Sequence, residues 1–194
     1  MKKCIFGGTF DPPHIGHLLI AQTICEAEEF DKIIFVPAFK NPHKSKDITS
    51  SIENRLKMLE IAVEGNPHFE ISDAEIKRGG ISYSLDTIRY IKKEQNLKRD
   101  ELYFLIGSDI LITFHKWYEP LKILEECQVI VAIRPGFKPS SVPSWILSKI
   151  QFANIPRFEL SATQIRNRWK ENKTIRYMVT QPVWSFINKN SLYL

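Results

Sequence analysis

Residues Cys4-Ile5-Phe6-Gly7-Gly8-Thr9-Phe10-Asp11-Pro12-Pro13-His14-Ile15-Gly16-His17 decide how this chain reads. An apolar run stops at two glycines, a turn-forming stretch follows, and Leu18-Leu19-Ile20-Ala21-Gln22 continues with helical character. A strand-to-helix turn of this kind aims backbone N–H groups and the positive end of a helix at one point, which suits a phosphate. Gly7 and Gly8 allow positive φ and close backbone approach, and Thr9 adds a hydroxyl donor. His14 and His17, three residues apart, share one face of the first helical turn, with no side chain at Gly16 between them. The same pair also fits a plain turn with capped or solvated rings. Metal ligation by the two lacks a third ligand nearby.

Outward from this stretch, short runs rich in Ile, Val and Phe recur at residues 4–6, 33–36, 69–72, 102–106 and 129–133 and read as strands buried on both faces. Residues 152–155 add a last short strand. Helical patterns separate them: residues 15–28, residues 50–63 with Ser50 and Glu53 in capping-box spacing, and residues 84–93 opening at a Ser84 cap. Ser161 opens a further helix through Glu171, and Pro182 suits the first turn of a final one ending near Asn190. Such alternation predicts a parallel sheet covered by helices, with ligands beyond the carboxyl ends of the strands.

At 194 residues the chain has enough length for one domain, or one with a small appendage, and for a substantial core. No apolar run approaches the ~20 residues that span a bilayer, and Met1-Lys2-Lys3 is followed by too short an apolar stretch for a signal core. A soluble cytoplasmic protein without a membrane partner is expected. Cys4, Cys25 and Cys127 sit in separate apolar stretches and read as reduced core thiols. The net charge of +5 suits anionic ligands, while the absence of long basic blocks argues against a dedicated nucleic-acid binder. Leu160-Ser161-Ala162-Thr163-Gln164-Ile165-Arg166 forms a second anion site, with a cap hydroxyl, a first-turn threonine and a guanidinium one turn later. Read alone, it is a capped helix with a solvated charge.

Together, Gly7-Gly8-Thr9-Phe10-Asp11-Pro12, His14-x-Gly16-His17 and Ser161-x-Thr163-x-x-Arg166 resemble the HxGH nucleotidyltransferase superfamily. Pro42-His43-Lys44, Ser82-Tyr83-Ser84-Leu85-Asp86-Thr87, Gly107-Ser108-Asp109, Lys116-Trp117 and Arg134-Pro135-Gly136 are similar to segments of the bacterial nicotinate-mononucleotide adenylyltransferases, in that family's order along nearly the whole chain. Two positions depart from the pattern: Ser84 replaces a common Thr, and Ala162 a common Ser. Each leaves a helix N-terminus intact.

The resemblance implies an α/β, Rossmann-like open parallel sheet with helices on both faces and a helical C-terminal part. It implies one nucleotidyltransferase domain over residues 1–194, with residues 156–194 completing the ATP site. The implied reaction is attack by the 5′-phosphate of nicotinate mononucleotide on the α-phosphorus of ATP, giving deamido-NAD and pyrophosphate. Carried over residue by residue, His14 and His17 are catalytic, and Gly7, Gly8, Gly16, Gly107, Asp109, Ser161, Thr163 and Arg166 join them around ATP. Thr9, Phe10, Lys44, Tyr83, Ser84, Trp117, Tyr118 and Arg134 fall to the acceptor nucleotide. Backbone N–H groups near Tyr83, Ser84 and Tyr118 face its carboxylate, and Trp117 offers a flat surface to the pyridine ring. Mg²⁺ arrives with ATP and needs no protein cage. Oligomeric state stays open between monomer and homodimer. Other HxGH transferases acting on pantetheine phosphate or forming cytidylyl products, a class I aminoacyl-tRNA synthetase fragment, and a non-catalytic nucleotide- or nucleic-acid-binding module are the competing readings.

Overall fold

The computed structural model describes residues 1–40, 49–134, 136–156 and 159–194. Six strands form one parallel sheet: β1 (Lys3–Gly8), β2 (Lys32–Pro37), β3 (Phe69–Ile71), β4 (Leu102–Gly107), β5 (Gln128–Ala132) and β6 (Ile150–Ala153), in the order β3-β2-β1-β4-β5-β6. The helices are α1 (Ile15–Ala27), α2 (Ile52–Val63), α3 (Ala74–Arg78), α4 (Ser84–Glu94), α5 (Ser108–Leu111), α6 (Pro120–Glu126), α7 (Ser144–Leu147), α8 (Ala162–Lys170) and α9 (Gln181–Lys189). This is the expected Rossmann-like arrangement.

The central strands are apolar on both sides because successive side chains point to opposite faces and both faces are covered. The edge strands differ from that expectation: β3 is only half-buried and carries Glu70, and β6 exposes Gln151 and Phe152. Ile34 and Val36 pack with Ile5, Phe104 and the α4 and α6 residues Leu85, Ile88 and Ile123. Ile33 and Phe35 turn the other way, toward Ile20, Ile24 and Leu59 of α1 and α2. Helix α2 serves two cores: Leu59 faces the sheet, while Met58 joins Ile165, Val183 and Ile187 in a third cluster that holds α8 and α9.

Several boundaries differ from the sequence reading for local reasons. The cap of α2 is Ser51, whose hydroxyl accepts from Asn54 N–H at 3.3 Å, because Ser50 is buried and its N–H goes to Asp11. Helix α4 is capped at Tyr83, which puts Ser84 at its first helical position. The last strand begins two residues early, at Ile150. Ser161 does cap α8, in a reciprocal box with Gln164: its N–H donates to Oε1 at 2.9 Å and its hydroxyl accepts from Gln164 N–H at 3.2 Å. The short helices α3, α5, α6 and α7 carry no strong periodicity and are settled by packing.

Candidate active site

Strand order reverses between β1 and β4, so the connections leaving them run to opposite faces and open a crevice at their carboxyl ends. A cavity of about 500 Å³ occupies it, bordered by Gly7 and Gly8 from β1 and Gly107 from β4. That size suits a nucleotide.

The two glycines at the end of β1 do not use positive φ. They continue the ladder, paired with Val36 and Pro37, and the left-handed residue is Phe10 at φ 51°. Gly8 is required by contact instead: a Cβ there would lie 2.8 Å from the Phe10 ring. Phe10 borders the cavity but is 2% exposed, set edge-on to Phe6 at 5.8 Å and to His17 at 5.0 Å between centroids. It is a wedge that holds the histidine ring in place.

His14 caps α1 and stacks on His17, centroids 3.6 Å apart and planes 22° apart. Nδ1 of His17 accepts the His14 backbone N–H at 3.2 Å, which places the proton of the neutral ring on Nε2. His14 is 5% exposed, and its pKa is pushed down to about 4 by burial and then by the positive charge of Arg134. Both rings border the cavity, whereas Gly16 is buried inside α1 and does not.

From 155 positions further along the chain, Arg166 reaches this loop and donates from Nη1 to the Asp11 carbonyl at 2.8 Å. Its Nη2 donates to Thr163 Oγ1 at 3.3 Å, and Ser161, Thr163 and Arg166 all border the cavity. The junction turns on Asp11, a residue with no role assigned from sequence. Its carboxylate is 1% exposed and accepts from Thr49 N–H at 2.8 Å, from Ser50 N–H at 3.4 Å and from the Tyr193 hydroxyl at 2.8 Å. Arg55 of α2, also 1% exposed, donates to the Thr9 carbonyl at 2.8 Å. The cue for Asp11 lies inside the opening motif. A single arginine in an amphipathic helix offers none.

Beyond β4, Gly107 caps α5, and the hydroxyl of buried Ser108 accepts the Arg134 N–H at 2.9 Å. Asp109 pairs with Arg134 at 3.4 Å at the cavity wall, both about half exposed, so the pair adds little stability. Ser84 and Trp117 border the same cavity; Trp117 leans on Phe114 and Phe104, centroids 5.3 and 6.3 Å away. Tyr83 and Tyr118 are not on its lining. They face each other at 4.7 Å, and the Tyr83 N–H is already given to the Ile81 carbonyl, so it is not one of the amides available to a carboxylate. Lys44, along with His43, lies outside the described residues. His68 is exposed, its ring against the Asp31 carbonyl, and His115 is exposed on a 3-10 turn; neither borders the cavity. Thr87, the last residue of the 82–87 segment and given no role of its own, borders it, as does Glu75, which no local pattern marks.

Among the described residues no three His, Cys, Asp or Glu side chains come together as a metal-ligating group. No helix among them is long and apolar enough to cross a membrane. All three cysteines are buried free thiols.

A parallel sheet in this order, with stacked histidines at the switch point and a returning arginine, defines a nucleotide-handling α/β protein. The cytidylyltransferase-like family model matches residues 5–168, and the chain belongs to that family. Within it the chain falls among the nicotinate-nucleotide adenylyltransferases. It is 39% identical to the nicotinate-nucleotide adenylyltransferase of Bacillus subtilis (strain 168), over 100% of this chain and 99% of that one. Two solved structures share the fold at 22% identity. Plasmodium falciparum nicotinic acid mononucleotide adenylyltransferase complexed with NaAD superposes with a TM-score of 0.80, covering 100% of this chain and 98% of that one. The same protein complexed with APC gives 0.79, over 99% and 96%.

Proposed function

We propose that this chain transfers the adenylyl group of ATP to the 5′-phosphate of nicotinate mononucleotide, forming deamido-NAD and releasing pyrophosphate. The observation that carries the reading is one cavity bounded by the His14–His17 stack and by Ser161, Thr163 and Arg166. Two anion-binding elements far apart in sequence thereby face one space. The full-length similarity to an enzyme named for this reaction supports the choice of acceptor.

A phosphate monoester has its second pKa near ~6, so the nucleophile is already anionic at neutral pH and needs no general base. The protein's work is alignment and charge stabilisation. His17, with its proton on Nε2, donates to the α-phosphoryl oxygen on which charge builds. His14 lies beside it along the triphosphate. Ser161, Thr163 and Arg166 take the β and γ phosphates, Arg166 by its fork of donors. The backbone at Gly7, Gly8 and Thr9 lets the phosphates approach closely, and Asp109 accepts from a ribose hydroxyl beyond Gly107. ATP enters as its magnesium complex, the cation held by phosphate oxygens and water, a mode that needs no cluster of protein carboxylates. In this scheme residues 1–194 act as one domain, with residues 156–194 closing the ATP side.

On the acceptor side Trp117 stacks the pyridine ring, and the amides opening α4 at Ser84 face its carboxylate with the helix's positive end behind them. Arg134 runs along the bound nucleotide, and Lys44 adds a phosphate contact. Three buried, unpaired thiols agree with work in the reducing cytoplasm.

Pyrophosphate release is measured with ATP, Mg²⁺ and a panel of acceptors: nicotinate mononucleotide, nicotinamide mononucleotide, pantetheine phosphate and simple phosphomonoesters. Turnover with the nicotinate acceptor, at a kcat/KM about tenfold or more above the amide, is expected. Comparable values for acid and amide would remove the nicotinate assignment, and a silent panel would remove adenylyl transfer altogether.

A further inference from the structure

Glu75 is a buried acid that the proposed reaction leaves without a role. It sits in α3, beyond the end of β3, is 7% exposed and borders the cavity next to Ser82, Ser84 and Thr87. Oε1 accepts the Thr87 hydroxyl at 2.6 Å. Oε2 is fully buried and makes no hydrogen bond among the described residues. No described cation lies within ion-pair distance of this carboxylate: buried Arg55 interacts with its charge only at longer range, and Arg78 donates to the Thr87 oxygen, at 3.3 and 3.4 Å. An unpaired acceptor of this kind is costly to bury. Because Glu75 borders the cavity, a small turn of the carboxylate about its Thr87 bond brings this oxygen to a donor supplied there.

The chemistry of the acceptor nucleotide leaves few candidates. At neutral pH its phosphate and its carboxylate are acceptors, and the pyridinium ring has no N–H. Its only donors are the ribose hydroxyls. Thr87 lies one turn after Ser84, so Glu75 is fastened to the same helix whose first turn faces the pyridine carboxylate. In the pose assigned above, the ribose that joins that ring to the 5′-phosphate passes along the part of the cavity that Glu75, Ser84 and Thr87 border.

We propose that Glu75 Oε2 accepts a hydrogen bond from a ribose hydroxyl of the acceptor nucleotide and so selects ribo- over deoxyribonucleotide acceptors. The assignment rests on nicotinate mononucleotide being the acceptor. A carboxylate at this point also repels a phosphorylated ribose, which makes it a specificity determinant as well as an anchor.

The wild-type enzyme is assayed with nicotinate mononucleotide and with its 2′-deoxy and 3′-deoxy forms. One deoxy acceptor is expected to lose about tenfold or more in kcat/KM, the scale of a hydrogen bond to a charged group. In Glu75→Met, which keeps the volume and leaves Thr87 its second acceptor, the Tyr83 carbonyl at 3.3 Å, the ribo-to-deoxy ratio should collapse to within about twofold while KM for ATP is unchanged. Glu75→Gln, which can still accept from Thr87, should lower the ratio at least about threefold, since a neutral bond replaces a charge-assisted one. Three outcomes overturn the proposal: wild-type indifference to both deoxy acceptors, an unchanged ratio in either variant, or a penalty seen with deoxy-ATP instead. No turnover with the ribonucleotide itself would refute the assigned reaction, a result distinct from all three.

Discussion

Among the groups through which acid destabilises this protein, His14 is the one whose effect can be sized from the site. His14 is held neutral by burial and by Arg134, with its pKa moved from 6.5 to about 4. In the unfolded chain the same imidazole titrates normally. Its contribution to stability is therefore fully present above 6.5 and is lost as pH falls through the window between the two values, because only the unfolded state takes up the proton there. A tenfold difference in proton affinity between the two states is worth about 1.4 kcal/mol, so the loss reaches about 2 kcal/mol near pH 5 and levels off near about 3 kcal/mol below pH 4. Urea unfolding followed by tryptophan fluorescence, at about pH 7.5 and about pH 5, measures it. His14→Gln supplies the reference, since every other titrating group is common to both proteins. Wild type should lose about 2 kcal/mol more than the variant on acidification. A bound non-hydrolysable ATP analogue should shrink that difference, because an anion beside the ring favours its charged form. Equal losses in the two proteins, to within about 0.5 kcal/mol, would rule out His14 as the source of acid sensitivity.

Further outcomes follow from other contacts. His17→Ala should cut kcat for pyrophosphate release by about 100-fold with little change in unfolding midpoint, since it removes an aimed donor; normal turnover would dismiss the role given to Nε2. Gly8→Ala forces a methyl against a Phe10 ring that cannot yield, at a cost of about 1–3 kcal/mol and with reduced turnover. In Gly107→Ala the new methyl meets the Asp109 carboxylate and the Arg134 guanidinium, two side chains 53% and 45% exposed that can swing aside at the loss of a weak ion pair, so stability should change by less than about 0.5 kcal/mol. Similar destabilisation by the two substitutions would contradict this contrast. Tyr193→Phe removes the hydroxyl that Asp11 accepts, and denaturant titration should find about 2 kcal/mol lost. Should stability be unchanged, the C-terminal turn would not be what secures the histidine loop.

The fold was legible in the sequence because strands buried on both faces are apolar nearly throughout, and four runs between residues 4 and 133 have that character; the fifth, at residues 69–72, is a half-buried edge strand that carries Glu70. The phosphate-facing residues were legible too, since a histidine pair on one helical turn and a capped Ser-x-Thr-x-x-Arg stretch are local patterns. Conformational detail was not. Positive φ belongs to Phe10 and not to the glycines beside it, and the cap of α2 fell to Ser51, because Asp11 claims the backbone of Ser50.

The order of residues along the chain was enough for the parallel architecture and for two separate anion-binding segments. Joining them took the folded molecule. Arg166 meets Asp11 across 155 positions, Tyr193 reaches the same aspartate from the chain's end, and Glu75 comes to the cavity from a five-residue helix without a pattern of its own. Local periodicity records which way a side chain faces; it holds no information about which distant segment will occupy the space in front of it. That choice was made by burial, as the third core around Met58, Ile165 and Val183 folded α8 back over the crevice.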